Sequence, residues 1–471
     1  MSHHHPDPNK KVSLTIDGIP VTVPEGTKIL EAARKANVFI PTLCDHPDLC
    51  RRAVCRICVV ECDGKGKLLA ACANDVWEGV SVVTNNSRIM NIRKTILELL
   101  IASHPQECLS CAASTNCELQ TLAKMYEIRE TTFGPDAVNR QPVSKDNALI
   151  RDMDKCVKCG RCVEACQEIQ TVRAINTSHR GAKYRISTAY NRPYTDSPCV
   201  FCGQCETVCP VGAIYEDDQS AKVWAVINDS ERSIAAQISK PEAESLCMEL
   251  DKAFGFPSRT VSPGKTVTAL KRLGFDKVYD SLFAIDLAAA EISLELKNRV
   301  KTGDKKRLPL ISACSHSAVK FIENFYPDLA DRLSQSRSPR EIFHSLMKEE
   351  KTTTVSIEPL ICNKSKQLAG EPDITLTVKE LALMFKLAGT DFASLPESHF
   401  DKLEHSKPDL TGPNGKYMAV NGLGKARAVL DLVRKDQCDA VYIEIRSCPL
   451  TEGYARCASI GSILCEAIQI I

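Results

Sequence analysis

No run of apolar residues in this chain approaches the roughly 18–20 needed to cross a bilayer as a helix. Neither charge is in excess, with 60 Lys and Arg against 59 Asp and Glu. That balance argues against nucleic acid as a partner, because a clustered basic surplus is what supplies affinity for phosphate. The N-terminus, Met1-Ser2-His3-His4-His5-Pro6, lacks the charged-then-apolar pattern of a secretory signal, and its histidines are assigned no function. No G-x-G-x-x-G followed by an acidic residue occurs, so NAD and flavin chemistry is expected on other chains. What is abundant is cysteine, 24 in 471 residues. A chain this long buries a substantial core and does not depend on disulfide staples. Its cysteines also fall in tight C-x2-C groups rather than at scattered spacings. Thiolate metal sites in a reducing, cytoplasmic, oxygen-sensitive protein are the expectation.

The residue pattern divides the chain into four. Val12-Ser13-Leu14-Thr15-Ile16 and Val21-Thr22-Val23 alternate in polarity and are joined at Asp17-Gly18, a two-residue hairpin signal. A helix over Thr27–Ala36, with Ile29, Leu30 and Ala33 at helical spacing, and a cysteine loop follow. This predicts a β-grasp domain over 11–87. Residues 88–125 read as helical, with Ile89, Ile92, Ile96, Leu99 and Leu100 in one stripe, inside a second unit over 88–148. Two cysteine runs flank a basic, polar insertion within 149–217. From 218 to 471 strands alternate with helices, opening with Val223–Ile227 as a strand. The alternation continues through Thr266–Leu273, Leu308–Ser312, Phe321–Leu329, Val355–Pro359, Val378–Lys386, Ala426–Val433 and Ala440–Ile445. An α/β domain with a largely parallel sheet is expected there. The fold class is therefore multidomain, α+β in front and α/β behind.

Fifteen cysteines and one histidine within Cys44–Cys209 fall into four ligand sets. Cys44, Cys55, Cys58 and Cys72, spaced C-x10-C-x2-C-x13-C behind the β-grasp pattern, supply four thiolates for a [2Fe–2S] cluster. Cys50 and Cys62 fall outside the pattern as bystanders. His104, Cys108, Cys111 and Cys117 spell H-x3-C-x2-C-x5-C. Alone, either set also suits zinc. Both resemble the N-terminal domains of iron-only hydrogenases and of the large iron–sulfur subunit of respiratory complex I. That resemblance implies a [4Fe–4S] cluster with one histidine ligand at the second set. Cys156, Cys159, Cys162, Cys166 and Cys199, Cys202, Cys205, Cys209 each read C-x2-C-x2-C-x3-C, with Pro210 after the last. This is the two-cluster ferredoxin signature, in which each fourth cysteine crosses to the other cluster. One [4Fe–4S] is then expected on Cys156, Cys159, Cys162 and Cys209, the other on Cys199, Cys202, Cys205 and Cys166.

The last 250 or so residues resemble the catalytic domain of iron-only ([FeFe]) hydrogenases. The likeness runs through Thr268-Ala269-Leu270-Lys271-Arg272-Leu273-Gly274-Phe275, Phe321-Ile322-Glu323-Asn324-Phe325-Tyr326-Pro327, Lys379-Glu380-Leu381-Ala382 and Val420-Asn421-Gly422-Leu423-Gly424. Such hydrogenases hold their active cluster on three loops. In the first, counting back from Tyr326-Pro327, Cys314 takes the proton-transfer place and Ser315 a ligand's place. In the second, Glu358-Pro359-Leu360 puts Leu360 where a cysteine ligand stands. In the third Cys448 is kept, while Glu452 replaces the second cysteine and the glycine run is missing. With three of four cubane ligands replaced, no hydrogen-converting cluster is expected. Cys314, Cys362, Cys448 and Cys457 come from the same loops and read as thiols filling vacated space, with a relocated cubane as the alternative. Cys247, Cys438 and Cys465 read as core cysteines.

Together these features suggest an electron-transfer chain with no catalytic residues of its own. The resemblance implies partners: an NADH-oxidising flavoprotein, a thioredoxin-like [2Fe–2S] subunit, ferredoxin, and a terminal module such as a [NiFe] hydrogenase or a second, NADP-reducing flavoprotein. Electron bifurcation is a property of such complexes. A self-sufficient hydrogenase and a non-enzymatic iron–sulfur scaffold rank below this reading.

Overall fold

The computed structural model describes residues 7, 9–63, 67–114, 116–134, 142–238, 240–349, 352–358, 361–364, 372–403 and 415–448. The front of the chain folds as its alternation dictates. In Lys11–Ile16 the residues Val12, Leu14 and Ile16 turn inward, while Lys11 and Ser13 face water. Asp17 and Gly18, at φ 50° and 81°, make the tight turn into the antiparallel partner Ile19–Pro24. Ser81–Val83 returns parallel to the first strand, and Val59–Cys62 and Lys67–Ala70 complete a five-stranded sheet. The helix Ile29–Lys35 lies on its apolar face, burying Ile29, Leu30, Ala32 and Ala33.

Asn86 caps the next helix, Ser87–Ala102, by accepting from the Ile89 amide at 2.8 Å. A short helix, Glu118–Met125, ends this region. The third region pairs Ser144–Asp146, Leu149–Arg151 and Ile214–Glu216 into an antiparallel sheet. The insertion between the cysteine runs forms a separate hairpin of Ile175–Ser178 with Arg185–Thr188.

The rear half is α/β, with one correction to the expected elements. Val223–Ile227 is not a strand but part of the helix Ser220–Ile227, since Val223 and Val226 are buried three residues apart while Ala221, Lys222 and Ala225 are exposed. The parallel strands also divide into two sheets. One runs Lys277–Asp280, Ser233–Ile238, Thr352–Glu358, Ile374–Thr377. The other runs Leu310–Ile311, Ala440–Arg446, Lys416–Asn421. The helix Leu282–Lys301 packs against both, through a core that joins Ala235 and Tyr279 to Leu310 and Tyr442.

Buried polar side chains lock the regions together. The Arg161 guanidinium is 5% exposed, donates to the Asp45 carbonyl at 2.7 Å, and grips both Glu118 carboxylate oxygens. Arg93 reaches across from its helix to the Val59 carbonyl at 2.7 Å. Lys364 has no exposed side-chain surface and sits between Glu216 of the front half and Glu380 of the rear. Gln170, fully buried, donates to the Ser447 carbonyl at 2.7 Å and accepts from the Leu423 amide at 2.9 Å. Arg161→Ala strands the Asp45 carbonyl and releases Glu118, and is expected to cost about 2–4 kcal/mol of stability in a denaturant titration of the iron-loaded protein. Arg161→Lys, which keeps one charge but loses the fork, should fall between.

Candidate metal centres

Each sequence-predicted ligand in Cys44–Cys209 lies in a described region, and the fold brings each set into one neighbourhood, without three His, Cys, Asp or Glu side chains converging as an ion-holding cluster among the described residues. In the first, the loop after helix Ile29–Lys35 carries Cys44, and the loop before strand Val59–Cys62 carries Cys55 and Cys58, with left-handed Ala53 and Arg56 bending it. Cys72 follows the returning strand Lys67–Ala70. The Cys58 and Cys72 sulfurs are 3.3 Å apart. Hydrogen bonds from Cys55 and Cys72 hold the Cys44 thiol down as a thiolate, while donating to it, together with burial, pushes those two up. Four such thiols cannot ionise together without cationic charge among them, which is what iron supplies. Cys50 is exposed and Cys62 belongs to the apolar β-grasp core.

His104, Cys108, Cys111 and Cys117 line one cavity of about 240 Å3. Burial and the Lys155 ammonium hold His104 below the ordinary histidine range, which keeps the imidazole neutral and able to donate a lone pair. Gly212, from the cysteine-rich region behind, forms part of the wall, and a Cβ there would stand 2.6 Å from the Cys111 sulfur. Only glycine permits that approach.

The two ferredoxin-like runs have the same backbone. Lys158 and Phe201 are left-handed at φ 57° and 54°, and Gly160 and Gly203 at 80° and 76°. The Lys158 and Phe201 amides lie 3.4 Å from the sulfurs of Cys156 and Cys199. Burial raises Cys156 to about 11 and Cys159 to about 12, and Cys209 adds to both shifts and to that of Cys162. Cys199 is raised to about 12 by burial and then by Cys166, and Cys166 acts likewise on Cys202 and Cys205. The structure thus brings Cys209 to the first run and Cys166 to the second. Burial pushes Cys166 and Cys209 up as well, opposed by the backbone N–H groups of Arg173, Ala174 and Ile175 around the first and of Val211, Ala213 and Ile214 around the second, while the Cys209 thiol itself donates to the Val211 carbonyl at 2.9 Å. Such N–H to sulfur bonds stabilise thiolate and tune the potential of a bound cluster.

The groups adjoin one another. Arg161 feels both Cys159 and Cys44, so it stands between the first group and the third. Lys155 lines the histidine cavity and precedes Cys156. Cys162 feels Cys205, joining the third group to the fourth, and Cys202 feels Cys362 of the rear half. Residue spacing alone does not mark Arg161, Lys155 or Gly212. The one visible signal is that Arg161 precedes Cys162 and Glu118 follows Cys117, a charge of each sign directly beside a ligand.

In the rear half, Cys314, Cys362 and Cys448 line one cavity of about 110 Å3 at the C-terminal ends of the parallel strands. Cys362 is drawn down by a hydrogen bond from Cys448, and burial pushes Cys314 up to about 12. Charged and polar side chains, among them Arg340, Glu358 and Glu444, share the wall. Ser315 is turned to other use, capping helix His316–Phe325 through Ala318 and lying 3.4 Å from the Ser447 hydroxyl. Leu360, Glu452, Cys457 and Cys465 lie outside the described residues. Cys247 is buried in the core, and Cys438 packs against the core around the second parallel sheet.

Family models match in the same order as these groups. Residues 9–87 match the 2Fe-2S iron-sulfur cluster binding domain, and 93–132 the NADH-ubiquinone oxidoreductase-G iron-sulfur binding region. Residues 155–213 match the 4Fe-4S dicluster domain. Residues 237–412 match the C-terminal domain of the iron only hydrogenase large subunit. These define a multidomain iron–sulfur oxidoreductase chain. The NADP-reducing hydrogenase subunit HndD of Solidesulfovibrio fructosivorans is 36% identical over 417 residues, covering 83% of this chain and 71% of that one. Iron hydrogenase 1 of Clostridium pasteurianum is 28% identical, covering 92% and 78%. The NADPH-Fe(3+) oxidoreductase subunit alpha of Geobacter sulfurreducens is 35% identical over 204 residues, 43% of this chain and 24% of its own. The chain belongs to the iron-only hydrogenase large-subunit family, with the iron–sulfur front it shares with complex I G subunits.

Gly212→Ala is expected to displace Cys111. Iron should fall by about four per chain, with the other clusters' electron paramagnetic resonance signals retained.

Proposed function

We propose that this chain is the iron–sulfur relay subunit of an NAD(P)H-linked, electron-bifurcating oxidoreductase complex. It would hold one [2Fe–2S] cluster on Cys44, Cys55, Cys58 and Cys72. Three [4Fe–4S] clusters would sit on the His104, Cys108, Cys111, Cys117 set and on the two crossed ferredoxin-like sets. The observation that carries this reading is the contact order of the groups, with Arg161, Lys155 and the Cys162–Cys205 approach linking each to the third. Bound clusters supply one-electron transfer without making or breaking bonds. The chain's own residues exclude water, set the potentials through amide bonds to sulfur, and hold neighbouring centres close.

The third group has the first, second and fourth as neighbours, so the relay branches there. Branching suits a hub with more than two partners: an NADH-oxidising flavoprotein, a thioredoxin-like [2Fe–2S] subunit, ferredoxin and a separate catalytic module. A [NiFe] hydrogenase pair fits the last place. The names of the relatives, an NADP-reducing hydrogenase subunit and an NADPH-Fe(3+) oxidoreductase subunit, also support a second flavoprotein that handles NADP. Hydrogen conversion within this chain is disfavoured by donor chemistry, since Leu360 offers no lone pair and Ser315 is occupied as a helix cap.

Anaerobically purified protein is expected to carry about 14 irons per chain, the sum for one two-iron and three four-iron clusters. A count near 18 would place a fifth cluster, on the rear cysteines. In the assembled complex, Cys108→Ala should remove the histidine-ligated cluster and slow NADH-driven turnover while leaving the rear domain folded. Unchanged turnover would exclude that cluster from the path.

A further inference from the structure

The relay reading leaves unused the hairpin inserted between the two ferredoxin-like cysteine runs. From Ile169 to Thr195 the chain runs 27 residues with five Lys or Arg and no Asp or Glu, in a protein that as a whole has 60 Lys and Arg against 59 Asp and Glu. The structure lifts this segment out as the two-stranded ribbon Ile175–Ser178 and Arg185–Thr188, which pairs with no other strand among the described residues. Arg180 and Lys183 are exposed at its tip, and Tyr190 and Arg192 are exposed just past its base. None of these three cations has a carboxylate partner among the described residues. Tyr190 is 92% exposed in a left-handed backbone, φ 56°, that a bulky residue disfavours, and the Arg192 guanidinium lies 5.6 Å from its ring centre. An outward tyrosine beside arginine is the side-chain pairing that interfaces favour.

The inner side of the same ribbon touches the third group. Ile186 lines a small cavity together with Cys156, Cys159, Cys162 and Cys209, and half-buried Tyr184 is close enough to feel the first three thiols. Tyr194, fully buried, lies beside Cys162, Cys199 and Cys205. One layer of side chains therefore separates a basic outer face from the branch point of the proposed relay. Four residues of strand span about 13 Å, so tip and base fit within one standard interface of about 800 Å2 per partner.

We propose that this hairpin is the docking face for a small acidic one-electron carrier protein, which exchanges electrons with the centre held by Cys156, Cys159, Cys162 and Cys209. The assignment rests on the relay reading and deepens it by placing one partner. Opposite charge steers the encounter and orients the carrier over the thin wall of Ile186 and Tyr184. Each docking event moves one electron: the carrier is oxidised by one, the chain is reduced by one, and no bond or proton changes.

The test uses the full iron-loaded chain, made anaerobically, and a reduced two-[4Fe–4S] ferredoxin of strongly negative net charge. Combining Arg180→Glu, Lys183→Glu and Arg192→Glu should lower the second-order rate at low salt at least about tenfold and flatten its dependence on ionic strength. Reduction by the small dye methyl viologen and the iron content should not change. Tyr190→Ala alone should weaken ferredoxin exchange without touching the salt dependence. A ferredoxin rate indifferent to the charge reversal would overturn the assignment, as would an equal loss with the dye. If instead the reversal abolished only reduction by an NADH flavoprotein, the hairpin would be that subunit's seat and the proposal wrong. Failure of wild-type protein to exchange electrons with ferredoxin, while its iron still responds to NADH and flavoprotein, would count against the docking face but leave the relay standing.

Discussion

One buried guanidinium organises the front of this protein. Arg161 precedes Cys162, and its two acceptor residues, Asp45 and Glu118, follow Cys44 and Cys117. Three of the four ligand sets are thus tied to one planar fork. At 5% exposure its Nη1 and Nη2 are matched to Glu118 and the Asp45 carbonyl while Nε has no partner, so this arginine cannot drift without stranding acceptors on two other loops. The consequence is geometric: loops from three regions keep their separation, on which electron transfer between centres depends.

The front and rear halves are joined by the same means. Gln170 uses both ends of its amide on rear-half backbone, at Ser447 and Leu423. Lys364 is buried between carboxylates from each half, and Glu380 also caps the helix Val378–Leu387 through Thr377. Gly424 comes so close to the Ile169 carbonyl that a Cβ would stand 2.4 Å from it. A rear domain used only as a tethered remnant would not need such fitting. Its packing instead holds Cys362 beside Cys202 and supports the fourth group from behind.

Much of this was legible before folding. Alternation in Val12, Leu14 and Ile16, with Asp17-Gly18 after them, specifies the opening hairpin because a half-buried strand needs period two and the turn needs left-handed residues. The rear half was less legible where strands are buried on both faces: Ser233–Ile238 shows no alternation, since nearly every side chain is inside. Val223–Ile227 misleads for a related reason, because a short apolar run suits a strand or a helix equally until its neighbours select a face. The division of the parallel strands into two sheets also left no mark in the sequence.

The sequence by itself determined the spacing of fifteen cysteines and one histidine into four candidate sets, because local spacing dictates which donors a loop can offer together, while the places of Ser315, Leu360 and Glu452 are what the family resemblance implies. Only the tertiary structure decided which group lies next to which, that the third adjoins the other three, and that a basic hairpin packs against it. Those relations arise from contacts between residues far apart in the chain, such as Arg161 with Asp45 and Cys202 with Cys362, and no local spacing encodes them.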